Sequence, residues 1–198
     1  INLDEMGRPL RPAIIWTDQR RAPPRGRLPR LWRILFGLLR VRPIVENLEA
    51  EAEANWLERY QPELLAQTAH FLLLSGYLNY RLTGELKDSA GSQVGYVPFD
   101  FKKQDWCVDS DWKWHSMAIK RYMLPSLRAV GETLGAVTAE AAKATGLPMG
   151  APVIAGAADK ACEVLGVGAL EAGRLPLKSN LSSVIIFQSV VDRILSTK

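Results

Sequence analysis

The chain has 198 residues, of which 47% are hydrophobic, and a net charge of +4. This length allows one large domain or two small ones with a buried core, and no apolar run reaches the roughly 18 residues that a membrane span needs. The small charge does not favour nucleic acid, and Cys107 and Cys162 lack the spacing of a zinc site or a disulfide framework. No signal peptide is visible, so we expect a soluble cytoplasmic protein.

The first segment contains short apolar runs at 1–3 and 13–16 around the turn-rich sequence DEMGRP. This pattern predicts a hairpin or a strand pair. Trp16 ends the second run, where it either packs in the core or contacts a ligand. Asp18 follows, and its carboxylate either binds a ligand or pairs with a nearby arginine.

Residues 20–42 hold eight arginines and no acid, with apolar residues concentrated between 31 and 39. A basic amphipathic stretch suggests contact with a membrane surface or nucleic acid. We favour another interpretation, in which prolines make 20–29 a loop and Leu31–Leu39 forms a short helix packed on the domain. Acidic residues follow at once, and such charge runs are usually solvated faces.

The middle of the chain predicts helices separated by a short strand. Apolar residues recur every four positions from Val45 to Tyr60, which indicates one amphipathic helix, and Pro62 is typical of the start of another. Phe71–Leu74 reads as a buried strand. Ser75 is then the expected N-cap of a helix that ends at Gly84.

Glycine- and serine-rich sequence follows Asp88 and Ser89, but it lacks the spacing of a phosphate-binding loop. Further on, a strand over 135–138 leads to an Ala-rich helix that begins at Thr138 and stops at Gly146.

The stretch PVIAGAADKACEVLGVGAL at 152–170 changes period from strand to helix at Asp159. Val153–Ala155 predicts a buried strand, and the strand–helix alternation from 134 to 170 favours an α/β domain. Asp159 is either the N-cap of the helix or a general base at the end of a strand. These two roles are compatible, and periodicity does not separate them.

Three motifs carry a family resemblance: RPAIIWTDQR at 11–20, the stretch SGYLNYRLTGELKDSAGSQVGYVPFDFKKQDW at 75–106, and IAGAADKACEVLGVG at 154–168. In this order they resemble the FGGY carbohydrate kinases, over roughly residues 7–173. The resemblance implies an α/β, ribonuclease-H-like (actin-like) fold that is incomplete here. Residues 1–173 would be part of the N-terminal, substrate-binding domain.

The resemblance also implies a function, namely ATP-dependent phosphorylation of a sugar or polyol hydroxyl with Mg²⁺. Asp159 would be the general base, Trp16 would support the carbon skeleton, and Asp18 and Lys160 would contact hydroxyls. The resemblance assigns no nucleotide-binding residue and no metal ligand in this chain.

Residues 174–198 depart from the family, and we interpret them as a divergent tail, with a shifted reading frame or an alternative terminal segment as hypotheses. Neither of the family's Gly-Thr phosphate turns is found in the sequence. We therefore expect a truncated form with weak or absent kinase activity. The alternatives are a noncatalytic sugar-binding or interaction module and a basic surface-binding protein acting through residues 20–42. The identity of the sugar and the question of a homo-oligomer stay open.

Overall fold

A computed structural model describes residues 1–15, 17–93 and 96–166, apart from the side chains of Lys160, Val164 and Leu165. The chain divides into two units, Ile1–Gly156 and Ala157–Lys198. Helices of the first unit are α1 Arg30–Leu38, α2 Arg42–Glu51, α3 Glu53–Tyr60, α4 Pro62–Gln67, α5 Leu74–Thr83, α6 Lys113–Ser116 and α7 Ala139–Thr145. Its strands are β1 Asn2–Leu3, β2 His70–Phe71, β3 Lys87–Ser89, β4 Phe99–Asp100, β5 Asp105–Trp106, β6 Ser126–Arg128, β7 Thr133–Ala136 and β8 Pro152–Ile154. In the second unit, α8 spans Asp159–Gly166.

Several helix ends lie where local sequence signals predict them. Pro62 opens α4, where its missing N–H removes no intrahelical hydrogen bond. Gly84 and Gly146 end α5 and α7 in the left-handed conformation, at φ 74° and 77°. Thr138 caps α7, since its Oγ1 accepts a 3.2 Å hydrogen bond from the Ala141 N–H. These four predictions are confirmed.

The strands form two-stranded pairs. Strands β3 and β6 are parallel, with Lys87 opposite Ser126 and Ser89 opposite Arg128, whereas β1–β2, β4–β5 and β7–β8 are antiparallel. The hairpin predicted around DEMGRP forms as a short turn, because Leu3 bridges Pro9 in antiparallel fashion and the Leu10 N–H donates to the Asn2 carbonyl. Residues 13–15 form no strand, and β1 pairs with β2. Strand β8 exists as predicted but is not buried: Ile154 is 50% exposed, and only Ala155 beyond the strand is buried. The β7–β8 pair packs on α5.

The main core lies between α3, β2, β4 and β5. Leu57, Phe71, Phe99, Trp106 and Ile119 are among its buried side chains. The rings of Phe99 and Trp106 meet edge to face with centroids 5.9 Å apart. The Trp106 indole N–H donates a 2.8 Å hydrogen bond to the Pro125 carbonyl, so the polar edge of this buried ring is satisfied.

The helix predicted from Val45 to Tyr60 is wrong in one respect, because Ala52 divides it into α2 and α3. Ala52 adopts extended backbone angles, φ −63° and ψ 115°. The reason is tertiary. Buried Asn55 donates 2.8 Å hydrogen bonds to the carbonyls of Glu49 and Ser116, and its Oδ1 accepts one of 2.8 Å from the Ala118 N–H. One side chain thus satisfies a carbonyl freed by the end of α2 and ties the helix break to residues 116–118.

Helix α1 forms where a short helix is predicted, but it is packed on the domain through few residues. Phe36 is its buried residue, and the Phe36 ring meets that of Trp112 edge to face at 5.1 Å. Just beyond the C-cap Leu39, Arg40 adopts φ 56°, a left-handed conformation that glycine usually occupies at this position. A positive charge there is favourable beside the helix carboxyl end. No helix in the described ranges combines the length and apolarity that crossing a lipid bilayer requires.

Candidate functional site

A cleft of about 870 Å³ opens in the first unit. Its apolar floor includes Phe71, Leu72 and Val97, all buried. Polar residues from separate parts of the chain line the rest, namely Asp18, Gln19, Arg20, Arg21, Glu51, Glu53, Ser75, Ser92 and Tyr96. A cavity of this size, with an apolar floor and a few polar groups, has the usual character of a small-molecule site.

Asp18 lies in the wall of the cleft and is paired with Arg20. The Arg20 Nε donates a 2.8 Å hydrogen bond to Asp18 Oδ1, and a second guanidinium nitrogen lies 2.8 Å from Oδ2. The hydrogen bonds from Arg20 lower the pKa of Asp18 below its ordinary value, so the carboxylate is ionised at neutral pH. Arg20 also lies over the ring of Trp56, 4.4 Å from its centroid. The ion pair with an arginine, one of the two roles that the sequence allows for Asp18, is therefore present. Each Asp18 oxygen can still accept a hydrogen bond from a ligand hydroxyl.

Glu53 begins α3 and lines the same cleft. Burial raises the pKa of this carboxyl, the largest of several influences on it. Within the described residues, the Glu53 side chain makes no hydrogen bond and no ion pair within 4.0 Å, although the positive charge of the chain's amino terminus acts on it from a distance. The Glu53 carboxyl oxygens are thus available to a ligand in the cleft. A bound hydroxyl would donate a hydrogen bond in place of the water that burial excludes.

Tyr96 and Arg21 hold Glu51 from two sides. The Tyr96 hydroxyl donates a short hydrogen bond to Glu51 Oε2, and Arg21 lies 3.3 Å from Oε1. Arg21 also donates to the side chain of Asn47. The hydrogen bond to Glu51 is the main reason that the pKa of Tyr96 rises to about 12. This triad joins three chain segments along one wall of the cleft.

Asp88 anchors the structure behind the cleft. It is 1% exposed, and its carboxylate accepts hydrogen bonds from Ser75 Oγ at 2.9 Å, Asn79 Nδ2 at 3.0 Å, Gln93 Nε2 at 2.9 Å and the Ser89 N–H at 2.8 Å. Ser75, predicted as an N-cap, instead lies inside α5, where Leu73 is the cap. Its hydroxyl is committed to Asp88. Gly76 lets α5 approach closely, since a Cβ there would lie 3.1 Å from Asp88 Oδ2.

Ser89 extends this network toward the end of the first unit. Its hydroxyl accepts a 3.1 Å hydrogen bond from the Gly91 N–H and donates a short one to the carbonyl of Gly156. Gly156 is the last residue of that unit. The buried Asp88–Ser89 pair thus holds the backbone at the last residue of the first unit.

Asp159 is the first residue of α8, and it is exposed. The Cys162 N–H donates to the carbonyl of Ala158 at 3.1 Å, so Ala158 holds the N-cap position and Asp159 lies one residue inside the helix. The N-cap prediction is therefore off by one residue, although a carboxylate in the first turn still faces the positive end of the helix dipole.

The four predicted site residues have different outcomes in the structure. Asp18 lines the cleft, and Asp159 belongs to the second unit. Trp16 and the side chain of Lys160 lie outside the described residues. In the part of the chain that is described, no group of three or more His, Cys, Asp and Glu side chains could hold a metal ion.

Comparison with known proteins decides the family. A model of the FGGY family of carbohydrate kinases, N-terminal domain, matches residues 1–166. The chain belongs to this family. The xylulose kinase of Escherichia coli K12 is 33% identical over 186 residues, which is 92% of this chain and 36% of that protein. An uncharacterized sugar kinase of the same organism, YgcE, is 40% identical over 103 residues, or 52% of the chain and 21% of that protein.

Solved structures agree with the family. The xylulose kinase of Rhodospirillum rubrum superposes with a TM-score of 0.64 at 27% identity, over 87% of this chain and 35% of that one. A gluconate kinase of Lactobacillus acidophilus gives a TM-score of 0.63 at 19% identity, over 85% and 34% of the two chains, and supports the fold alone. The predicted actin-like α/β fold is confirmed as a partial one. This FGGY chain spans about a third of the length of the two xylulose kinases.

Sequence reasoning missed Glu53 and Tyr96 in this FGGY chain. Glu53 reads as a counter-charge to the arginines of 20–42, yet it precedes Trp56 and Leu57 by three and four positions. It therefore shares the apolar face of its helix, and an acid on such a face is a usable signal. For Tyr96 no comparable signal exists, because it reaches Glu51 across 45 residues of sequence.

The Tyr96–Glu51 hydrogen bond predicts a late tyrosine titration. With ¹³C at the Cζ of the five tyrosines, we expect the Tyr96 signal to stay in its phenol form at pH 11, because its pKa is about 12. Glu51→Gln removes the negative acceptor and should bring the midpoint back toward 10.0. Tyr96→Phe assigns the signal. A Tyr96 midpoint near 10 in the unmodified chain would contradict the hydrogen bond.

Proposed function

We propose that residues 1–166 form the sugar-binding part of a carbohydrate kinase that phosphorylates a sugar or polyol hydroxyl. The cleft is the observation that carries this proposal: the carboxylates of Asp18 and Glu53 stand over an apolar floor in a chain of the FGGY family. Xylulose kinases and an L-fuculokinase of Escherichia coli, the latter 28% identical over 171 residues, are among the relatives. Their names support a sugar as the ligand.

The roles of the cleft residues follow from their chemistry. A sugar presents hydroxyl donors around a carbon skeleton, so carboxylates that accept hydrogen bonds and an apolar surface are complementary to it. Asp18, held ionised by Arg20, binds one hydroxyl, and Glu53 binds another. Phe71 and Leu72 contact the carbon skeleton, a role that we also assign to Trp16.

Asp159 is the proposed general base. An ionised carboxylate within hydrogen-bond reach of the reacting hydroxyl can accept its proton as the oxygen attacks phosphorus. Lys160, the next residue, is assigned to a neighbouring hydroxyl.

FGGY kinases in general use ATP and Mg²⁺, which supply the phosphoryl group and neutralise its charge. The described residues do not fit this group: they include no cluster suited to a metal ion, and the glycine-rich turns that approach phosphates are not found in the sequence. We therefore assign no nucleotide contact to residues of this chain.

Sugar binding tests the proposal without nucleotide. Calorimetry of the 198-residue chain against pentoses, ketoses and polyols should find at least one ligand. Asp18→Asn and Glu53→Gln should each weaken its binding about tenfold or more, because a hydrogen bond to a charged group contributes about 1.5–3 kcal/mol.

Glu46→Gln is the matched control, since Glu46 lies outside the cleft and pairs with Arg42 on the surface of α2. It should leave the affinity unchanged. Absence of binding to every sugar, or equal affinity in the two cleft variants and the unmodified chain, would refute the assignment of this cleft.

Binding without turnover is the expected behaviour of the 198-residue chain by itself. The reason is that the chain lacks both Gly-Thr phosphate turns, on which stabilisation of the transferring phosphoryl group depends. A coupled assay of ADP release over the same sugars checks this. Turnover that Asp159→Asn abolishes would overturn the expectation and at the same time support Asp159 as the base.

A further inference from the structure

Helix α1 and the start of α2 expose an unusual number of large apolar side chains. We call them the α1 patch: Leu31 is 74% exposed, Ile34 62%, Leu35 39%, Leu38 77%, Leu39 60% and Ile44 69%. None of the described residues covers the patch. On the opposite side of α1, Phe36 packs against Trp112. Single exposed apolar residues are ordinary, but a contiguous group on one short segment indicates a surface that binds something.

Unpaired arginines surround the α1 patch. Arg30, Arg33 and Arg40 are exposed and form no ion pair with the described residues. The other five arginines of 20–42 are paired with acids: Arg20 with Asp18, Arg21 with Glu51, Arg25 and Arg27 with Glu58, and Arg42 with Glu46. Free positive charge therefore concentrates on the element that exposes the apolar side chains.

The charge and the shape of the α1 patch together indicate which kind of partner binds there. A second copy docking patch to patch would bring like charges together without acids to offset them, which is unfavourable. A bound protein helix needs a groove, whereas the α1 patch consists of side chains that are 39% to 77% exposed on a short helix and the start of the next one. A projecting apolar helix face with a fringe of arginines suits an anionic lipid surface, where the apolar side chains enter the acyl boundary and arginines contact phosphates.

We propose that α1 docks the protein reversibly on anionic lipid bilayers. In this docking, the nine residues of α1 from Arg30 to Leu38 lie along the membrane surface. Trp32, which is half-buried beside Phe36, also approaches the membrane. The segment is too short to cross the bilayer, so the association is peripheral. Both contributions are needed: the arginines supply attraction that salt screens, and the apolar side chains supply insertion. This docking is independent of sugar binding in the cleft.

Vesicle flotation of the complete 198-residue chain tests the proposal. At low ionic strength, vesicles of 70% phosphatidylcholine and 30% phosphatidylglycerol should bind at least tenfold more protein than pure phosphatidylcholine. Salt at 0.5 M should abolish most of the difference. The double variant Arg33→Glu/Arg40→Glu and the double variant Ile34→Ser/Leu38→Ser should each lower binding at least tenfold.

Matched controls come from other exposed positions. Arg59→Glu changes an exposed charge on α3, and Val130→Ser removes a side chain that is 57% exposed, so neither should alter flotation. Circular dichroism establishes that all variants fold, as expected for exposed substitutions. Failure to float with the anionic vesicles, or flotation unaffected by Ile34→Ser/Leu38→Ser, overturns the proposal. A dimer in ultracentrifugation that this same variant dissociates would assign the patch to a second copy instead.

Discussion

Asp88→Ala should lower the free energy of unfolding by about 3–5 kcal/mol. The carboxylate is 1% exposed and accepts hydrogen bonds from four donors in α5, in β3 and at Gln93. Removing it leaves these donors buried without an acceptor, at about 1–3 kcal/mol each before relaxation. Urea denaturation followed by circular dichroism measures the change.

Asp109→Ala is the control, because the Asp109 side chain is 88% exposed and pairs with Arg121 at 3.3 Å. It should cost less than about 1 kcal/mol. Equal stability of the two variants would show that the Asp88 network is not a structural centre of the first unit.

Acid titration separates the charge of Asp88 from its hydrogen bonds. Burial, the largest influence, raises the pKa of this carboxyl above its ordinary value of 3.8, although the four hydrogen bonds oppose it. A raised pKa in the folded state means that the contribution to stability is complete below 3.8 and is lost as pH rises through the folded value. The unmodified chain should therefore gain stability relative to Asp88→Asn as pH falls from neutral toward 3.8.

Asn55→Leu is expected to cost about 3–5 kcal/mol. Leucine is similar in size but makes none of the three 2.8 Å hydrogen bonds of Asn55, so the Glu49 and Ser116 carbonyls and the Ala118 N–H lose their partner in a buried site. Urea denaturation gives the total. Hydrogen exchange at the Ala118 amide should accelerate more than elsewhere, because that N–H loses its hydrogen-bond acceptor.

Asn47→Ala provides the comparison on the surface of α2, where the side chain accepts a hydrogen bond from exposed Arg21. Its effect should stay below about 1 kcal/mol. If Asn55→Leu proved equally mild and left exchange at Ala118 unchanged, the α2–α3 break would have to depend on other contacts.

Much of the local structure was predictable because single residues carry their own conformational preference. Proline at position 62, glycine at 84 and 146, and threonine at 138 each begin or end a helix through backbone geometry or one local hydrogen bond. The three family motifs likewise lie in the printed order of the chain, so family and fold class were accessible before any coordinates.

Predictions failed where a distant residue decided the outcome. Apolar periodicity continues through Ala52, but Asn55 bonds to Ser116, 61 residues away, and stabilises a break there. Ser75 has the residue type of an N-cap, yet its hydroxyl binds Asp88. The turn at DEMGRP forms as predicted, but the partner strand of β1 is β2, whose His70 and Phe71 are distant in the sequence.

The sequence alone determined the family, the helix ends and the candidate carboxylates Asp18 and Asp159. Residue type, spacing and local backbone preference are enough to predict these features. Tertiary structure alone decided that Glu53 and Tyr96 share a cleft with Asp18, that Asp88 is buried in a network of donors, and that the α1 patch faces outward. The physical reason is that burial and long-range hydrogen bonds depend on which segments meet in space, and periodicity along one segment does not contain that information.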